Sequence, residues 1–238
     1  MIRNILTLIR IKDWSKNVII FLPLIFSENL KNDSYYLDLF LVFILFSLTS
    51  SFIYIINDIV DIKNDKKHSL KLKKKPLASG KISIKISLFI LLLIAVLLIS
   101  FLQNYKLLYP HVIFYLLINI SYSLFFKRLP IIDVLLISVG YLIRLDVGSV
   151  VINVQTSLFL AGTIFFLACF IIFIKRYIEI KNNNSKSTTF YSEKNLKIFI
   201  FLSSIFFFLT LSFFTFIIDL RLIILIPFLV LIFVRYYK

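Results

Sequence analysis

Six long apolar stretches constrain this chain more than any other feature: Leu37–Ile56, Ile86–Leu102, Leu107–Phe126, Ile131–Ile152, Thr156–Ile174 and Ile198–Ile218. Each approaches the roughly 20 residues that a helix needs to cross a bilayer core. Val18–Phe26 and Leu222–Val234 are shorter candidates, and counting them predicts eight crossings. No linker interrupts the pattern, so residues 1–238 read as a single all-α transmembrane domain. The composition agrees, with 60% hydrophobic and 16% charged residues and a mean hydropathy of +0.97. Soluble domains carry about 45–50% apolar and about 25% charged residues. That excess excludes a disordered chain, a disulfide scaffold and a cytosolic enzyme. Cys169, the single cysteine, lies within an apolar run and reads as inert filler. The start, Met1-Ile2-Arg3-Asn4, predicts no removable signal peptide.

The net charge of +15 would suggest nucleic acid in a soluble protein. Here the basic residues follow the loops instead, which argues against a nucleic-acid partner. With eight crossings, 23 of the 27 Lys and Arg residues fall on one side of the bilayer. The positive-inside rule makes that side, and both termini, cytoplasmic. The expected location is the inner (plasma) membrane.

Several polar residues are not explained by the bilayer. Asn57, Asp58, Asp61 and Asp65 follow the Leu37–Ile56 stretch. If the helix continues, they share one face at the cytoplasmic mouth. Stacked carboxylates repel unless a cation lies among them, and hard oxygen donors suit Mg²⁺ together with substrate phosphates. A solvated acidic helix end neutralised by lysines fits the same spacing. The basic loop that follows, with His68, Lys71 and Lys75, suits either anionic lipid headgroups or a diphosphate. Arg144 lies 13 residues beyond Ile131, about 20 Å along a helix. A charge at that depth marks a functional cavity or a structural ion pair. Asp146, two residues on, faces elsewhere, so each should find its partner on another helix. Lys175 and Glu179 are spaced i, i+4 as an interfacial salt bridge would be, beside Arg176. Tyr122, Lys127 and Arg128 fit an interface belt or a binding site equally.

Together these stretches resemble the UbiA-type intramembrane prenyltransferase superfamily, and within it the decaprenyl-phosphate phosphoribosyltransferase branch. Asn57-Asp58-x-x-Asp61-x-x-x-Asp65 matches the first acidic motif of the superfamily. Arg10-Ile11-Lys12-Asp13-Trp14-Ser15-Lys16-Asn17 followed by Pro23-Leu24, His68 with Lys71 and Pro76-Leu77-Ala78-Ser79-Gly80, Tyr122-Ser123 with Lys127-Arg128 and Asp133-Val134, and Lys175-Arg176-Tyr177-x-Glu179 match the branch. Ile11 and Ser69 replace prolines of that pattern, and Lys75 replaces an arginine. The family has about nine spans, so the last helix is expected to be missing, or supplied by a second copy or a partner chain.

The resemblance implies a helix bundle around a central cavity open to the cytoplasm. The implied reaction is Mg²⁺-dependent transfer of 5-phosphoribose from phosphoribosyl pyrophosphate to a polyprenyl phosphate, with release of pyrophosphate, in making a cell-envelope polysaccharide precursor. Asp58, Asp61 and Asp65 would hold Mg²⁺, with Asn57 assisting. Lys16, Lys71, Lys75, Lys127, Arg128, Arg144, Lys175 and Arg176 would neutralise phosphates. Asn17, His68 and Tyr122 would contact substrate, and Glu179 would orient the sugar hydroxyls or Lys175. Two rivals remain open: a prenyltransferase with a polyprenyl diphosphate donor, and a noncatalytic membrane subunit or lipid-binding or transport protein.

Overall fold

The computed structural model describes residues 1–27, 29–67, 72, 74–181, 191–218, 220, 227, 230 and 233. Every regular element among them is helical. Helix α1 (Ile2–Leu8) leads into a 3-10 helix (Ile11–Phe21) and α2 (Leu22–Phe26), then α3 (Asp33–Val60) and the short α4 (Ile62–Asp65). The rest of the bundle is α5 (Ile84–Asn104), α6 (Tyr109–Leu124), α7 (Ile132–Val151), α8 (Leu158–Lys181) and α9 (Glu193–Ile218).

Helix starts follow local chemistry. The Asn32 side chain accepts the Ser34 backbone N–H at 3.3 Å to cap α3, and Ser83 accepts that of Ile86 at 3.3 Å to cap α5. Pro110 sits in the first turn of α6, where its missing N–H costs nothing.

Six helices among the described residues are long and apolar enough to cross a membrane. The expected crossing at Val18–Phe26 is built otherwise, as the end of the 3-10 helix joined to α2. An eleven-residue 3-10 helix is unusual, since its hydrogen bonds are poorer than those of an α-helix. Side chains from α3 hold it in place. Trp14 Nε1 donates to Ser51 Oγ at 3.0 Å, and Asn17 Nδ2 donates to Ser47 Oγ at 2.9 Å. Ser51 also donates to the Ile9 carbonyl at 2.7 Å. The expected crossing at Leu222–Val234 lies outside the described residues apart from Pro227, Val230 and Phe233. The Phe233 ring stacks on Phe170 with centroids 3.9 Å apart.

Helices α8 and α9 form an antiparallel hairpin with stacked aromatic rungs. Phe159–Phe213, Phe166–Phe206 and Phe173–Phe199 pair at 5.4, 5.1 and 5.3 Å between centroids. Successive rungs step by seven residues in opposite directions on the two helices, which fixes one register. A second core unites α1, the 3-10 helix, α3, α5, α6 and part of α7. Helix α7 lies between the two cores, and the candidate site opens along it.

Candidate active site

A cavity of about 460 Å³ is enclosed by the N-terminal segment, α3, α6, α7 and α8. Its apolar wall is Leu136, Ile137, Ile171 and Ile172, and its polar wall includes Tyr54, Asn57, Tyr115, Asn119, Tyr122 and Tyr141. Five cations line it: Arg10, Lys16, Arg144, Lys175 and Arg176. Asp13 is the acid among the described lining residues, and its Oδ1 is 2.7 Å from Lys16 Nζ. Burial works against the charge on Lys16, but nearby Tyr54 and the hydrogen bond to Asp13 outweigh it and raise its pKa. The cavity wall is strongly positive.

Each cation is aimed by its neighbours. Arg10 has a left-handed backbone (φ 53°), rare for a residue with a side chain, at the turn from α1 into the 3-10 helix. That turn sends its guanidinium over the Tyr54 ring, 4.5 Å from the centroid, and onto Asp58 Oδ1 at 2.8 Å. Arg144 is almost fully buried. Its Nε donates to Asn17 Oδ1, its Nη1 to the Gly140 carbonyl at 2.6 Å and its Nη2 to the Tyr115 hydroxyl. Asp146 instead accepts from Thr156 Oγ1 at 3.2 Å and lies 3.0 Å from His111 Nε2. Arg144 and Asp146 therefore do not pair with each other but take separate partners on other elements, as their i, i+2 spacing requires.

Arg176 corrects one sequence expectation. Glu179 Oε2 takes Arg176 Nη1 at 2.7 Å, so the ion pair formed is i, i+3 with Arg176 and not i, i+4 with Lys175. Arg176 also donates through Nε to Asp133 Oδ2 at 2.9 Å and through Nη2 to the Tyr122 hydroxyl at 3.3 Å. Asp133 additionally accepts the Tyr191 hydroxyl, which itself accepts the Ile131 N–H at 2.6 Å. Burial and the neighbouring carboxylate push the Tyr191 pKa up, so it stays a donor. Lys175 is left to line the cavity.

The acidic motif does not form the single expected face. Helix α3 ends at Asp61, whose backbone (φ −86°, ψ 3°) leaves helical geometry before α4 resumes at Ile62. The break separates the carboxylates. Asp58 and Asp65 turn to Lys75, whose Nζ lies 2.7 Å from Asp58 Oδ1 and 2.6 Å from Asp65 Oδ2. Asp61 faces Lys127 at 3.5 Å. Among the described residues, no group of three or more His, Cys, Asp or Glu is placed to hold a metal. The two buried carboxylates still converge on one cation position. Mg²⁺ commonly takes one or two carboxylates and completes its shell with water and substrate phosphate. The donor chemistry of Asp58 and Asp65 therefore fits that ion. A cleft of about 380 Å³ lined by Asp58 and Lys75 shares Arg10 and Asp13 with the main cavity.

Other expected site residues fall elsewhere. Asn17 is fully buried and positions Arg144 from outside the cavity lining. His68 and Lys71 lie outside the described residues, as does the side chain of Arg128. The sequence marked Arg10, Asp13 and Asp133 only as members of matching motifs, with no role given, and did not select Tyr54, Tyr115, Asn119, Tyr141 or Tyr191. For α6 the signal was present: Tyr115, Asn119 and Tyr122 recur at i, i+4 and i+7 in an otherwise apolar helix.

Six apolar helices, four of them lining a cationic cavity with the N-terminal segment, define a multi-pass membrane protein. The chain belongs to the UbiA prenyltransferase family, which matches residues 18–238. A decaprenyl-phosphate phosphoribosyltransferase of Corynebacterium glutamicum is 28% identical over 177 residues, 72% of this chain and 53% of that protein. The Mycolicibacterium smegmatis protein of the same name is 26% identical over 187 residues, 76% of this chain and 58% of that one. The chain thus spans little more than half the length of these relatives. A UbiA homologue from Archaeoglobus fulgidus, solved with DMAPP and Mg²⁺ bound, superposes with a TM-score of 0.76 at 16% identity. It covers 98% of this chain and 85% of that one, a likeness of fold.

Proposed function

We propose that this protein is a transferase of the inner membrane, with its basic loops and both termini cytoplasmic. The reaction is transfer of 5-phosphoribose from phosphoribosyl pyrophosphate to a polyprenyl phosphate. The observation that carries the reading is the convergence of five cations on one cavity beside two buried carboxylates. Such a wall suits a donor and an acceptor that both carry phosphate. The names of the two relatives support the choice of substrates.

In this reading an oxygen of the acceptor phosphate bonds to ribose C1. The C1–O bond to the diphosphate breaks, and pyrophosphate leaves with the electron pair. The acceptor is already anionic, so no strong general base is needed. Lys16, Lys175 and Arg176 bind and neutralise phosphate oxygens, and Arg144 is a rigid cation on the wall. Glu179 and Asp133 orient Arg176, and Tyr122 presents its hydroxyl beside it. Asp58 and Asp65 would hold Mg²⁺, which would neutralise the leaving diphosphate, while Asp61, turned to Lys127, would add negative charge beside that pair. The apolar wall of Ile171 and Ile172 faces the lipid chain of the acceptor.

The test is transfer of radiolabelled phosphoribose into lipid extract by purified protein with a polyprenyl phosphate and Mg²⁺. Asp61→Asn serves as the paired variant, because Asp61 is partly exposed and asparagine keeps its shape while removing its charge. Label should enter the lipid and fall by about 10²-fold in the variant, the scale of losing one charge-stabilising group. Label from a polyprenyl diphosphate donor alone would replace this reading with prenyl transfer.

A further inference from the structure

The Lys75 ammonium contacts both buried carboxylates of the acidic motif. Asp58 and Asp65 are 3% and 1% exposed, so two charges there without a counter-ion would be costly. Arg10 shares Asp58 Oδ1 with Lys75, so cations already sit on both carboxylates without any metal. The lysine backbone is held firmly. Its carbonyl accepts the Ser79 N–H at 3.0 Å, and the Pro76 carbonyl accepts that of Ile82 at 3.2 Å. Leu77, Ala78 and Ile82 of the same turn are buried, and Gly80 supplies its positive φ of 74°. The side chain itself has four rotatable bonds, and a cleft lined by Thr7, Asp13 and Lys74 adjoins it.

We propose that Lys75 is a tethered counter-ion: its ammonium holds the cation seat between Asp58 and Asp65, and a divalent ion must displace it to engage both carboxylates. The inference rests on the acidic motif being a divalent-cation seat, and does not depend on which phosphate donor is used. A tethered group competes at high effective concentration, so free divalent ion binds weakly. Charge balance then favours a metal that arrives with a diphosphate, because the released ammonium can pair with phosphate oxygens in the adjoining cleft.

The experiment measures Mn²⁺ binding to the detergent-purified full chain by electron paramagnetic resonance, with no substrate present. Lys75→Gln should bind Mn²⁺ about tenfold or more tightly than the unaltered protein. Adding Asp58→Asn to that variant should abolish the gain. Equal or weaker binding by Lys75→Gln would overturn the inference, as would a gain that survives Asp58→Asn. A second readout uses the unaltered chain, so it does not depend on a variant folding. Saturating Mg²⁺ should speed acetylation of Lys75, read by peptide mass spectrometry, and an unchanged rate would overturn the proposal. Neither readout involves phosphoribosyl pyrophosphate, so failure of the transfer assay and failure of the counter-ion are told apart.

Discussion

Arg176 is gripped by Asp133, Glu179 and Tyr122 while its outer face lines the cavity. Arg176→Met would leave Asp133 buried without its cation, at a cost of about 3–5 kcal/mol. Thermal unfolding in detergent should show that loss, and Arg176→Met combined with Asp133→Asn should recover much of it. Full additivity of the two single changes would disprove the pairing. Tyr191→Phe tests the same network more gently. It removes the hydroxyl that joins Ile131 N–H to Asp133, and should cost about 1–3 kcal/mol. Sequence singled out Arg176 and Glu179 by type and position, but it paired Glu179 with the wrong neighbour. Helical spacing permits both i, i+3 and i, i+4 contacts. The choice fell to Asp133 on α7, which draws Arg176 toward the carboxylates and leaves Lys175 to the cavity.

At the scale of elements, α7 and the 3-10 helix cross closely at Gly148. A Cβ there would stand 2.0 Å from the Ile20 carbonyl oxygen, against backbone that cannot rotate away. Gly162 is also close to its neighbour, but its added Cβ would meet Thr210 Cγ2 at 3.0 Å, a side chain that can shift. Gly148→Ala should therefore lower the unfolding midpoint far more than Gly162→Ala, by the equivalent of about 1–3 kcal/mol or more. It should also weaken substrate binding, because the 3-10 helix carries Lys16 and the Asn17 that holds Arg144. Equal midpoints for the two variants would contradict this packing. The long helices were legible from hydropathy alone. The 3-10 helix was not, because it is stabilised by Ser47 and Ser51 on α3, contacts more than 25 residues distant in sequence.

For the molecule as a whole, the basic loops and the site share one end of the bundle. The topology proposed above is testable because Cys169, the single cysteine, is buried. Lys81→Cys lies at the basic end and Leu158→Cys at the other, both exposed. In intact cells a membrane-impermeant maleimide should label Leu158→Cys and spare Lys81→Cys, with the order reversed in inverted vesicles. The opposite pattern would invert the proposed orientation.

The sequence by itself determined an all-helical membrane chain, the helices long enough to cross, the family, and the residue types at the site. Those follow from local properties: apolar run length, charge distribution and short motifs. The tertiary structure alone decided how the charges are shared. The break at Asp61 sends Asp58 and Asp65 to Lys75, and Asp61 to Lys127. Asn17 and Tyr115 lock Arg144, and the left-handed Arg10 brings a further cation to the acidic motif. Buried charges must be paired, and which partner each takes depends on which elements pack together. Helical spacing along one segment cannot specify that.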